Sequence, residues 1–150
     1  MKVHPDYEEF VKSLNKNKVK YLIAGAHALG FHGIIRATKD IDVWIENSKK
    51  NAESFLKALK EFFDTDFSIK VEDIVEGNNI FQFGYPPVRI DVITGIKGLN
   101  FSEAWKRRIH SKYGKVKASY LSKKELIKSK EITGRKQDLL DIVRLKGLIR

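Results

Sequence analysis

At 150 residues, 42% hydrophobic and 32% charged, the chain suits one domain with its own hydrophobic core. The lack of cysteine excludes a disulfide framework and thiolate metal sites. No apolar run approaches a membrane span and MKVHPDYEEF is not a signal peptide, so a cytoplasmic protein with no membrane partner is expected. A formal net charge of +10 favours anionic partners such as nucleotides, nucleic acid or an acidic protein, although dispersed lysines also serve simply to solvate a surface.

In chain order, HPDYEEFVKSLNKN spaces Tyr7, Phe10, Val11 and Leu14 as one apolar helix face, with Pro5 at the helix start. KVKYLIAG reads as a buried strand ending at Gly25, and AHALGFHG as a short helix. RATKDIDVWIE, Arg36 to Glu46, alternates as a strand. NSKKNAESFLKALKEFF is a helix with Ala52, Phe55, Leu56 and Leu59 inward. IFQFGYPPVRIDVITG predicts a hairpin, Ile80–Phe83 and Val88–Ile93 around a turn at Gly84–Pro87. FSEAWKRRI predicts a helix and GKVKASYL a short strand. Ser122 and Glu125 have capping-box spacing and open a helix to about Glu131. After Thr133 and Gly134, RKQDLLDIVRLKGL predicts a last helix with Leu139, Leu140, Val143 and Leu148 inward. The expected class is α/β or α+β: a small mixed sheet, flanking helices and a mostly helical C-terminal part.

The chemistry centres on carboxylates. Asp is disfavoured in strands, yet Asp40 and Asp42 share one strand face, about 6.6 Å apart along the chain, opposite Ile41, Val43 and Ile45. Arg36 and Thr38 join that face if the strand begins early. Asp91 stands in an equally apolar strand, VRIDVIT. Paired strands would bring three acids to one patch, the all-oxygen donor set suited to Mg²⁺ or Mn²⁺. A half-solvated strand also tolerates Asp pairs, and Asp91 alone could end a strand.

Gly25 adds a second element, because glycine between strand and helix lets the main chain approach a phosphate. The spacing excludes a P-loop, a Rossmann fingerprint and a serine-nucleophile elbow. His27 and His32, about 140° apart around a helix, do not chelate zinc from one face. His27 lines the turn or fills the core.

AGAHALGFHGIIRATKDIDVWI followed by RIDVIT resembles the minimal nucleotidyltransferases of the polymerase-β-like superfold. Arg-x-Thr-x-Asp-h-Asp with the downstream GRKQDLLDIVRL looks most like small stand-alone prokaryotic members related to AbiEii-type toxins. The resemblance implies a single nucleotidyltransferase domain over 1–150, with a catalytic sheet core to about residue 95 and a helical part from about 100. It implies Asp40, Asp42 and Asp91 as catalytic and metal-binding residues. A nucleoside triphosphate such as ATP would lie near Gly25, Ala26, His27, Arg36 and Thr38. Ala26 departs from the family's Ser or Gly and leaves backbone donors to hold the phosphates. Among the cations Lys128, Lys130, Arg135 and Lys136, the family pattern matches Lys130 or Arg135 to the triphosphate. Asp138 and Asp141 would orient these cations or cap helices. Tyr85, Trp44 and Phe83 are candidates to stack on the base. The acceptor is left open between tRNA, protein and small molecule, and an antitoxin is a possible partner. The alternative is a catalytically idle relative that binds nucleotide or nucleic acid.

Overall fold

Ile41, Val43 and Ile45 point to one face of a six-stranded sheet, and Asp40, Asp42 and Trp44 to the other. The computed structural model describes residues 2–148. Its strands are β1 (Tyr21–Ala24), β2 (Asp40–Ile45), β3 (Ile80–Tyr85), β4 (Val88–Ile93), β5 (Ile109–Tyr113) and β6 (Val116–Tyr120), in the order β3-β4-β2-β1-β6-β5. β2 runs parallel to β4 and antiparallel to β1, and β1 runs parallel to β6. The helices are α1 (Pro5–Lys16), α2 (Gly25–Phe31), α3 (Lys49–Phe63), α4 (Val71–Val75), α5 (Phe101–Lys106), α6 (Lys123–Thr133) and α7 (Lys136–Leu145). This is the expected α+β class. Among the described residues no helix is long and apolar enough to cross a membrane.

The sheet separates two apolar cores. On one side Phe10, Val11 and Leu14 of α1 and Phe55 and Leu59 of α3 pack on Ile23, Ile41, Val43 and Val92. On the other, Ala28 and Leu29 of α2, Phe101 of α5, Leu126 of α6 and Leu145 of α7 cover Leu22, Ala24 and Trp44. Each such large side chain contributes about 1.5–3 kcal/mol on burial. Helix starts follow their caps. Ser48 Oγ accepts the Asn51 amide, and Ser122 Oγ accepts that of Glu125, each at 3.2 Å. The Glu125 carboxylate does not complete a capping box; it is buried and pairs with Arg107. Gly134, in the left-handed region at φ +59°, ends α6.

Several expectations are corrected. β2 begins at Asp40, so residues 36–39 are a connecting segment, not strand. β5, absent from the sequence expectation, forms a hairpin with β6. α7 is turned differently from its leucine pattern: Leu139 is 54% exposed and Leu148 70%, and Leu140 is exposed too. Its inward face is Asp138, Asp141, Ile142 and Leu145. Trp44 and Phe83 are buried, Trp44 edge-on to Phe101, so neither is free to stack on a base; Tyr85 is exposed.

Buried ion pairs explain the orientation of α7. Lys130 Nζ donates to Asp141 Oδ2 at 2.7 Å and approaches Asp138 Oδ1 at 3.4 Å, while Arg36 donates to Asp141 Oδ1. Asp138 also accepts from Arg135 Nε at 2.8 Å and from the Thr133 hydroxyl at 2.8 Å. The Arg135 hydrogen bond leads in holding the Asp138 carboxyl well below the usual carboxylate range. Burial pushes Asp141 upward, but Lys130, Arg36 and Gln137 together bring it below its ordinary value. Because both are depressed, their stabilisation is complete above the unfolded value of about 4 and is lost as pH falls through the folded values. Asp141→Ala, which strands Arg36 and leaves Lys130 only its longer contact to Asp138, should cost about 3 kcal/mol at neutral pH, roughly 6–12 °C in Tm. The gap from wild type should narrow below about pH 4, as thermal melts across pH will show.

Candidate active site

The strand register assembles the site. β2 lies between β1 and β4, with Ala24 opposite Asp42, Asp91 beside Asp42, and Arg89 beside Asp40. Side chains at paired positions in neighbouring strands share a face. Oxygen atoms of Asp40, Asp42 and Asp91 accordingly lie within 4.8 Å of one another. The site sits where β1 ends and β2 begins, directly at the start of α2.

Gly25 is required at that start. Its φ is +59°, and a β-carbon there would fall 2.0 Å from Asp42 Oδ2. The glycine therefore both permits the turn and leaves room for the carboxylate against the main chain. Thr38 donates its hydroxyl to Asp40 Oδ1 at 3.0 Å and steadies that side chain.

A fourth residue completes the cluster. Arg89 Nη2 donates to Asp40 Oδ2 and to Asp91 Oδ2, each at 2.9 Å, and Nε donates to Asp91 Oδ1 at 2.8 Å. One guanidinium thus bridges two of the three acids. Asp42 receives no hydrogen bond or ion pair from the described residues. Burial, then the Asp40 and Asp91 charges, push its carboxyl up to about 7 despite Arg89. An all-oxygen donor set, a cation already bound to two of its acids and a third acid destabilised by its neighbours fit a divalent ion such as Mg²⁺ or Mn²⁺.

The other sequence candidates divide. Asp40, Asp42, Asp91, Gly25 and Thr38 come together, and Ala26 follows Gly25 on α2. His27 is buried edge-on between Tyr7 and Tyr113, with ring centroids at 5.6 and 5.5 Å. Burial lowers its pKa and favours the neutral imidazole, and its Nε2 has no hydrogen-bond partner among the described residues. It helps fill the core, and its side also borders a cavity of about 540 Å³ reaching His4, Tyr7, Arg36 and Thr38. His32 Nε2 lies 2.9 Å from the Leu121 carbonyl oxygen, a structural contact. Arg36, Lys130 and Arg135 gather around Asp138 and Asp141 instead, and none donates to the carboxylate cluster. Asp138 and Asp141 orient these cations. Arg89 was not among the sequence candidates. Its signal was the alternation in Arg-Ile-Asp, which puts residues 89 and 91 on one face.

A family model described as "Nucleotidyltransferase of unknown function (DUF6036)" matches residues 5–149. None of the curated proteins compared with the chain matches it.

Gly25→Ala forces a side chain into both the left-handed region and the Asp42 carboxylate. It should cost at least about 1 kcal/mol, visible as a lowered Tm. Asp42→Asn should do the reverse at alkaline pH. The folded Asp42 value of about 7 lies above the unfolded value of about 4. Wild-type stability therefore falls as pH rises between these values and stays reduced above them. In metal-free buffer at pH 8 the variant should melt higher than wild type, with the advantage vanishing toward pH 4. A gap independent of pH would contradict this origin.

Proposed function

The chain belongs to this family of nucleotidyltransferases of unknown function, and from that premise we propose that it is a metal-dependent enzyme. It transfers a nucleoside monophosphate from a nucleoside triphosphate to a hydroxyl acceptor and releases pyrophosphate. The observation that carries the proposal is the convergence of Asp40, Asp42 and Asp91 within 4.8 Å beside Gly25.

Asp40, Asp42 and Asp91 would hold Mg²⁺ or Mn²⁺. Bound there, the ion supplies charge neutralisation to the triphosphate and acidifies the acceptor hydroxyl. The Gly25–Ala26 turn leaves main chain, without a side-chain hydroxyl, facing the phosphates. The acceptor oxygen forms a bond to the α-phosphorus while the bond from that phosphorus to the bridging oxygen of the β-phosphate breaks. Asp91 takes the acceptor proton, and pyrophosphate leaves with the bonding pair. Of the two cations matched by resemblance, Arg135 is exposed although held to Asp138 and would be the one to meet an incoming anion, whereas Lys130 and Arg36 both pair with the buried Asp141. Positioning and charge neutralisation then provide most of the acceleration.

Charge distribution favours an anionic acceptor. Residues 1–100 hold 14 Lys and Arg against 14 Asp and Glu, so the whole +10 belongs to residues 101–150, with 15 against 5. Three of those five acids, Glu125, Asp138 and Asp141, are buried. These three are paired with Arg107, Lys130 and Arg135, and the remaining excess of lysine and arginine in residues 101–150 suits an RNA such as tRNA better than a neutral small molecule. The same chemistry would serve a toxin restrained by an antitoxin, the setting the resemblance implies.

Ala26 favours a second reading, a relative that binds nucleotide or nucleic acid without transfer. Incubation with α-labelled ATP, CTP, GTP or UTP, Mg²⁺ or Mn²⁺, and RNA or protein acceptors separates the two. Label should pass to an acceptor, and Asp42→Asn and Asp91→Asn should each lower the rate about 10²-fold or more. Transfer that survives both substitutions would sink the site. Nucleotide binding without transfer under any condition would select the second reading.

A further inference from the structure

Two of the three carboxylates already hold a cation that belongs to the chain. Arg89 is an immediate neighbour of Asp40 across the β2–β4 pair and lies two residues before Asp91 on the same face. Its side chain is 26% exposed. Its three hydrogen bonds engage one oxygen of Asp40 and both oxygens of Asp91. A divalent ion shared by the three acids needs oxygens of this same set, and two cations within contact distance of one carboxylate pair repel strongly.

We propose that Arg89 is a resident counter-ion that competes with the divalent metal for Asp40 and Asp91, so that metal loading requires the guanidinium to leave. The inference rests on the metal-dependent reading above and goes beyond it by making the unloaded site a closed, self-neutralised state. The stoichiometry argues for exchange rather than a permanent ion pair. One monovalent group faces three acids and leaves Asp42 unpaired. A structural salt bridge would match its charges, whereas this arrangement neutralises the cluster only in part and keeps a demand for a second positive charge. A guanidinium on a strand also has the reach to turn toward solvent, where an incoming triphosphate offers it bidentate oxygen partners. Metal and triphosphate binding would thereby favour one another: the anion stabilises the released Arg89, and the release frees the carboxylates.

Mn²⁺ binding measured by electron paramagnetic resonance and calorimetry, without nucleotide, tests this directly. If the guanidinium-free state is the minor one, about a tenth of molecules or fewer, removing the competitor raises apparent affinity about tenfold or more. Arg89→Met should therefore bind Mn²⁺ at least about tenfold more tightly than wild type. Arg89→Lys, which keeps a positive charge at the site, should stay much closer to wild type. In metal-free buffer at pH 8, Arg89→Met should melt below wild type and recover when Mn²⁺ is added. If that variant does not fold without metal, Arg89→Gln keeps a hydrogen-bond donor without the charge and answers the same question. Equal or weaker Mn²⁺ binding by folded neutral variants would overturn the competition and make Arg89 a residue that positions the carboxylates. No Mn²⁺ binding to wild type or any variant would overturn the metal site as well.

Discussion

Mutual repulsion of like charges is the constraint around which this molecule is organised. Asp40, Asp42 and Asp91 come from adjacent strands, and the parallel pairing of β2 with β4 leaves their carboxylates no way to separate. Such an arrangement is unfavourable unless positive charge or protons compensate. The fold supplies compensation in unequal parts: Arg89 to two of the acids, and partial protonation near neutral pH to the third. Apolar cores on both faces of the sheet provide the stability against which this local cost is set. Under the proposed metal-dependent reading, a site that is poor without its ion and substrate would improve when they arrive.

A second ionic cluster has the opposite character. Around Asp138 and Asp141 two buried acids are hydrogen-bonded by three cations, Arg36, Lys130 and Arg135, and both acids are depressed in pKa. The cluster ties α6 and α7 to the segment that leads into β2 through Arg36. It thus sets the position of the chain only a few residues from Asp40. One network leaves an acid without a partner among the described residues, and the other uses paired charge for architecture.

Most of the geometry of the carboxylate face was legible before any coordinates. Period-two alternation in Asp-Ile-Asp-Val puts two acids together, and the same alternation in Arg-Ile-Asp-Val-Ile places the third. The caps at Ser48 and Ser122 and the β3–β4 hairpin arise from local chemistry, although β3 extends through Gly84 and Tyr85 and the turn is confined to Pro86–Pro87 rather than the expected Gly84–Pro87. Tertiary interactions account for the rest. Leu139 and Leu140 drew the expected inner face of α7 toward themselves, because apolar periodicity does not show that two aspartates will be buried by Lys130 and Arg36. Arg36 was assigned to a strand that begins four residues later, since its partner is 105 residues away. β5 escaped because Ile-His-Ser-Lys-Tyr carries a weak apolar pattern, and its strand identity comes from pairing with β6. Arg89 was visible in the pattern, but a cation beside proposed metal ligands does not look like part of their site.

The junction at Ala24–Gly25 has a consequence for how such a chain diverges. β1 passes into α2 with no intervening loop, so there is no slack to absorb an added or missing residue. One extra residue between Arg89 and Asp91 would likewise reverse the facing of every later position in β4 and drive a carboxylate toward Val43 and Ile41. Length changes should therefore accumulate at the outer connections, such as the stretch between α3 and β3, while the short segments around residues 25, 40–42 and 89–91 keep their spacing.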